Sequence, residues 1–230
     1  MGLELEDIVP WGRSLQEYRR MFALTDADLQ RTILDCAAGP ASFNGEMTAL
    51  GHSVLSCDPI YQFSPQEIDQ RIQETKAIIL DGVKASLDSY IWTTFSSPED
   101  LCEARLTTMR TFLSDLPKGL EEGRYQTATL PDLPCKSRSF DLALCSHFLF
   151  SYSDHLSLDF HWQAIQEMLR VADEVRIFPL MTLSGEVSPF LSQIMMFIGQ
   201  EANLQALIQT VDYEFQKDGN QLLTIRVSRT

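Results

Sequence analysis

Short apolar runs and helical stripes alternate along this chain. Thr32-Ile33-Leu34-Asp35 reads as a buried strand, followed by a small-residue turn, Cys36-Ala37-Ala38-Gly39-Pro40-Ala41. A helix over about 41–50, ended by Gly51, leads to a second strand over 53–57 that stops at Asp58. Phe140–Ser146 is an apolar run of strand type, and Leu158–Val171 carries Ile165, Met168 and Leu169 at helical spacing. A further strand covers 174–179, and Ser188-Pro189 starts a helix with Phe190, Leu191, Ile194, Met195, Phe197 and Ile198. Near the N-terminus, Ser14-Leu15-Gln16-Glu17 is a capping box and Thr25-Asp26-Ala27-Asp28 starts a brief helix. Val211–Phe215 and Leu223–Val227 alternate on either side of Asp218-Gly219, the pattern of a hairpin. With a third strand at 125–130, these elements predict an α/β fold with a mostly parallel seven-stranded sheet that ends in an antiparallel hairpin.

The connection between the second and third strands is long, about 60 residues. It holds two helix starts, Ser64-Pro65-Gln66-Glu67 and Ser97-Pro98-Glu99-Asp100. The first carries a stripe of Ile68, Ile72, Ile79, Val83, Leu87 and Ile91. The second carries Leu101, Leu106, Met109, Phe112, Leu113 and Leu116. A crossover needs one helix, so the second reads as an insertion, either extra packing or a lid or substrate wall. The whole is one domain, 1–230, with a helical cap over about 1–30 and an insertion over about 64–122.

Composition narrows the function. The chain has 230 residues, 44% hydrophobic, and no apolar run of membrane-spanning length. Met1–Asp7 is acidic and does not read as a signal peptide. Five scattered cysteines without a C-x-x-C pair predict reduced thiols and a cytoplasmic location. Cys36, Cys57, Cys135 and Cys145 read as core thiols. A net charge of −14 speaks against a nucleic-acid partner. The histidines and acids around His155 and His161 have no standard metal-ligand spacing, so no metal is expected.

Asp58 lies 23 residues after Asp35, the plan of a βαβ unit holding a nucleoside, with an acid at the second strand's end for ribose hydroxyls. Three further segments follow in order: Thr129-Leu130-Pro131-Asp132-Leu133-Pro134, then Ser139-Phe140-Asp141-Leu142, then Glu167-Met168-Leu169-Arg170-Val171. With Asp35–Ala41 they resemble the D-x-G-x-G-x-G turn, the D-A-x-x-L-P and S-F-D segments and the E-x-x-R-V helix end of class I S-adenosylmethionine-dependent methyltransferases. The likeness runs from Ile33 to about Leu183, particularly to the small-molecule and quinone-type branch.

The resemblance implies a Rossmann-like, doubly wound fold, S-adenosylmethionine as methyl donor and a small-molecule acceptor; it leaves the oligomeric state open. Asp35, Cys36, Ala37 and Gly39 would border the donor's methionine part and ribose. Asp58 would hold the ribose, Pro59 and Ile60 would pack on adenine, and Thr129 and Leu130 would meet its edge. Cys145, Ser146 and His147 end the fourth strand, where donor meets acceptor, and His147 is the candidate general base. Tyr18 and Arg19 would cap the donor, Arg19 reaching its carboxylate, and Tyr61, Trp92 and Phe95 would line the acceptor pocket. Pro40 removes an N–H after Gly39, which disfavours a pyrophosphate and hence NAD or FAD. Ala37 and Ala41 stand where the family has glycine, Thr129 where it has an acid, and the glycine turn before the fifth strand is missing. These departures leave open an alternative: a non-catalytic or regulatory binding protein with a weakened donor site.

Overall fold

A computed structural model of the chain describes residues 11–228. The acidic N-terminal segment lies outside the described residues. The strands are β1 (Ile33–Cys36), β2 (Val54–Cys57), β3 (Tyr125–Gln126), β4 (Phe140–Ser146), β5 (Ala172–Phe178), β6 (Leu204–Thr210) and β7 (Gln221–Val227). They form one seven-stranded sheet in the order β3-β2-β1-β4-β5-β7-β6. β1 to β5 pair in parallel, and β7 runs antiparallel to both β5 and β6. The order reverses between β1 and β4, so a crevice opens beyond their carboxyl ends, the place where open α/β sheets bind ligands.

The helices are α1 (Leu15–Met21), α2 (Asp26–Leu29), α3 (Phe43–Ala49), α4 (Pro65–Ala85), α5 (Pro98–Glu121), α6 (Leu158–Val171) and α7 (Leu191–Gln200). Both faces of the sheet are covered. Leu34, Cys36, Cys145 and Val175 pack with Ile165, Met168 and Ile194 of α6 and α7. Ile33, Leu142 and Leu144 pack with Tyr18, Met21, Phe43 and Met47 of α1 and α3. Ser14, Thr25 and Ser64 close the expected reciprocal caps with Glu17, Asp28 and Glu67.

Four expectations change. The terminal hairpin pairs β7 with Leu204–Thr210, not with 211–215. Leu204, Ala206 and Ile208 turn inward from this edge strand, while Val211–Phe215 leaves the sheet and buries Tyr213 elsewhere. β3 is only two residues long; the chain beyond it turns at Thr129, bridged to Asp132. The first helix of the long connection ends at Ala85, so its stripe stops at Val83 and Leu87 is exposed. Finally, α5 packs against β3 and α3, while α4 packs chiefly on α5. The crossover helix is thus the second of the pair, and α4 is the added layer.

A buried ion pair ties distant parts together. Arg105 of α5, 2% exposed, bonds Glu17 of α1 at 2.6 Å. Tyr213 donates to the other Glu17 oxygen at 3.0 Å. Burial pushes the Glu17 carboxyl up, but the Arg105 guanidinium overrides this and holds it below its ordinary range. A buried pair broken on one side leaves an uncompensated charge. Glu17→Ala is therefore expected to cost about 3–5 kcal/mol in urea denaturation, against about 1 kcal/mol for Tyr213→Phe.

Candidate functional site

β1 delivers the chain into the turn at Ala37, which takes a left-handed conformation (φ 52°), as does Gly39 (φ 56°). Nothing lies within 4 Å of where a Cβ on Gly39 would stand, so the turn presents bare backbone to the crevice. Tyr61, buried against Phe112 and Tyr125, holds the turn from behind by donating to the Gly39 carbonyl at 2.9 Å. On its other side the segment before α1 crosses closely: a Cβ on Gly12 would stand 2.1 Å from the Pro40 carbonyl oxygen.

Asp58, at the end of β2, faces this turn. Its Oδ2 accepts from Gly39 N at 2.9 Å and its Oδ1 from Ile60 N at 2.8 Å. Burial pushes its carboxyl up, against the pull of the two amides. Each oxygen keeps a further lone pair. The remaining amides of the turn are mostly spent: Ala38 N bonds Cys57 O, Ser42 N bonds Arg13 O, and Pro40 has none. A pyrophosphate needs such groups free, and it would also meet the Asp58 carboxylate.

A cavity of about 740 Å³ opens over these residues. Of the residues singled out from sequence, Tyr18, Ala37, Gly39, Asp58, Pro59, Ile60, Thr129, Leu130, Ser146 and His147 line it. Thr129 turns its hydroxyl to the Leu130 carbonyl. The E-x-x-R helix end has a visible task here. Glu167 accepts from Leu133 N at 3.0 Å, and Arg170 bonds both Glu167 and the Cys135 carbonyl. Together they pin the loop that carries Leu130 and Leu133 into the cavity wall.

Other expected residues stand elsewhere. Asp35 is fully buried beneath the floor, its two oxygens sharing the Tyr18 hydroxyl at 3.1 and 3.2 Å; burial pushes its carboxyl well up. Cys36 and Cys145 also lie in the core rather than in the cavity wall. Burial raises the Cys57 and Cys145 thiols to about 12, which keeps them protonated. Arg19 does not reach the cavity: it pairs with Asp26 at 2.6 Å on the surface. Tyr61, Trp92 and Phe95 do not line it either; Trp92 and Phe95 pack around Phe215. Among the described residues no group of three or more His, Cys, Asp or Glu converges as a metal site, and no helix is long and apolar enough to cross a membrane.

Sequence reasoning missed Arg13. It lines the cavity, and its Nε is buried without a hydrogen-bond partner. Its Nη1 donates to the Trp11 carbonyl at 3.2 Å, and it has no ion-pair partner among the described residues. Burial and the neighbouring Arg105 lower its pKa. No motif marks it; it simply precedes the Ser14 cap. His147 follows β4 with φ 49° and donates its backbone N–H to the Phe178 carbonyl at 2.6 Å. Its Nδ1 shares a hydrogen bond with Ser146 Oγ at 2.9 Å, and its ring packs edge-on to Phe178. Burial, then the positive charges of Arg13 and Arg105, pull its pKa well below the ordinary value. The neutral imidazole is favoured.

No family model matches the chain. Over 225 residues it is 35% identical to "Uncharacterized protein MJ0045" of Methanocaldococcus jannaschii, a match spanning 97% of this chain and 98% of that one. The chain belongs to the MJ0045 family. Among solved structures, this MJ0045-family chain is similar to two methyltransferases. One is the magnesium protoporphyrin IX methyltransferase of Synechocystis PCC 6803 with bound SAM, at 14% identity and a TM-score of 0.46, over 88% of this chain and 73% of that one. The other is the 1,6-didemethyltoxoflavin-N1-methyltransferase of Burkholderia thailandensis with its substrate and S-adenosylhomocysteine, at 14% and 0.46, over 93% and 79%.

Two outcomes are expected of this MJ0045-family site. An alanine held left-handed costs about 1–2 kcal/mol. Ala37→Gly relieves this but adds freedom to the unfolded chain, so it should raise stability by up to about 1 kcal/mol in urea denaturation. His147 has a folded pKa below its unfolded one, so its contribution to stability is present above about pH 6.5 and lost as pH falls below it. The slope is up to about 1.4 kcal/mol per pH unit. His147→Asn, which also tolerates the left-handed backbone, should be less acid-sensitive than the wild type when both are unfolded at pH 7.5 and 5.5.

Proposed function

We propose that this chain is a methyltransferase that binds S-adenosylmethionine at the β1–β2 side of the cavity and methylates a small molecule. The observation that carries the reading is the Asp58 carboxylate, fixed by two amides beside a turn whose own donors are mostly occupied. Such a site suits a sugar with two hydroxyls and rejects a pyrophosphate. The Nε of Arg13, buried without a hydrogen-bond partner among the described residues, supplies the second half of the fit, a cation in the cavity wall.

Asp58 would accept from both ribose hydroxyls with its remaining lone pairs. Ile60, Leu130 and Leu133 offer an apolar slot for adenine, with Thr129 at its edge. Arg13, in place of Arg19, would hold the donor's carboxylate beside Gly12 and Pro40. The bound donor supplies a methyl group already activated on a cationic sulfur. Catalysis by the chain is then mainly alignment, with His147 holding a proton from the acceptor where the acceptor has one to lose. A second reading, a binding protein without turnover, draws on one observation: Ala37, unlike glycine, keeps a Cβ at a left-handed position of the turn.

Isothermal titration tests the proposal. S-adenosylmethionine and S-adenosylhomocysteine are expected to bind at one site. Asp58→Ala should weaken both by tenfold or more, about 1.4 kcal/mol. Arg13→Gln should weaken both similarly while leaving plain adenosine unaffected, because adenosine has no carboxylate. No binding of either compound at millimolar concentration would overturn the reading. Donor binding with no methyl transfer to any acceptor would leave the binding-protein alternative.

A further inference from the structure

The cavity is larger than the donor seat, and its far half has a different chemistry. Ile79 and Val83 of α4 line it, with Tyr90, Met181, Leu183 and Phe215. These residues come from three connections, yet they form one wall. Tyr90 stacks on Phe215 with ring centroids 4.7 Å apart, and Ile91 N donates to the Phe215 carbonyl at 2.7 Å. Gln216 Nε2 bonds the Leu183 carbonyl at 3.2 Å, and a Cβ on Gly219 would stand 2.8 Å from the Met181 sulfur. None of the six carries a charge. The neighbouring polar ring is His147, whose Nδ1 is engaged with Ser146 and whose Nε2 has no hydrogen-bond partner among the described residues.

We propose that this half is the acceptor site and that it takes an uncharged, apolar ring compound presenting one hydroxyl to His147 Nε2. The proposal rests on the methyltransferase reading for its role, and on the wall itself for its chemistry. A ring compound fills an aromatic and aliphatic slot with its flat face against Tyr90, Phe215 and Met181. A phosphorylated or sulfonated compound would have to lose its hydration against six side chains that carry no charge. His147, which lines the same cavity, offers a polar group to the compound's hydroxyl. That imidazole is held in its neutral form, which can accept the hydroxyl's hydrogen at Nε2.

Titration of the full chain with 1-naphthol, 1-methoxynaphthalene and 1-naphthyl phosphate, each with and without S-adenosylhomocysteine, tests this. The naphthol should bind at least fivefold tighter than its methyl ether and at least tenfold tighter than its phosphate. Leu183, only partly buried, can receive a charge with little risk to folding. Leu183→Asp should weaken 1-naphthol tenfold and leave S-adenosylhomocysteine within twofold. The proposal is overturned if the phosphate or the ether binds as tightly as the naphthol, or if 1-naphthol fails to bind while S-adenosylhomocysteine does. Loss of S-adenosylhomocysteine binding with the naphthol preference intact would sustain the apolar site and remove the donor reading instead.

Discussion

A carboxylate drawn out of water at the end of a strand needs donors, and Asp58 finds both in the backbone. Gly39 N and Ile60 N hold its two oxygens. The first bond fixes the turn after β1 to the end of β2. The second bends the chain after β2 into the short helical turn that leads away to α4. The same carboxylate therefore closes the phosphate option, leaves lone pairs for a sugar and sets where the long connection begins. Tyr61 completes the clamp by holding the Gly39 carbonyl, so both polar groups of that residue are occupied while its α-carbon stays open to the cavity.

Buried charge decides the chemistry beside this clamp. Glu17, Arg105 and Arg13 lie near one another: Arg105 bonds Glu17, and the charges of both act on Arg13. Arg105 takes the anion, with Tyr213 as a second partner for Glu17. Arg13 has no ion-pair partner among the described residues, and its Nε, like that of Arg105, is buried without a hydrogen-bond partner among them. A buried polar atom without a partner is costly. The charges of Arg13 and Arg105 also act on His147, so that burial and electrostatics both favour its neutral form.

Most of the sheet was legible because period and punctuation agree there. The apolar runs at 140–146 and 158–171 coincide with β4 and α6, and the missing glycine turn before the fifth strand shows as α6 passing directly into β5. The hairpin was misread because Asp218-Gly219 sits inside a longer connection. β6 buries only alternate small and apolar side chains on one face of an edge strand, a weak signal beside the neat alternation of 211–215. At the site, Asp58 was legible because an acid at a strand end has a chemical reason to be there. Asp35 obeys the same pattern but is sealed under Tyr18. Arg13 and Arg19 differ only in which way a helix entrance turns, and that direction is set by Gly12 passing against Pro40, a tertiary contact that no local pattern encodes.

The division between strands and connections also explains why the proposed donor side could be anticipated and the proposed acceptor side could not. Donor-side groups sit on or just after β1, β2 and β4, where the sheet's register dictates position. The far wall is built by α4 and by the connections around Tyr90, Met181 and Phe215. Ile79 and Val83 belong to a helical stripe that sequence reads as packing, and packing is what they do against Phe95 and Leu101. They also face a cavity because α5, not α4, serves as the crossover helix on the sheet. With its structural place taken, α4 is free to roof the crevice, and its apolar face is shared between the core and whatever molecule lies beneath it.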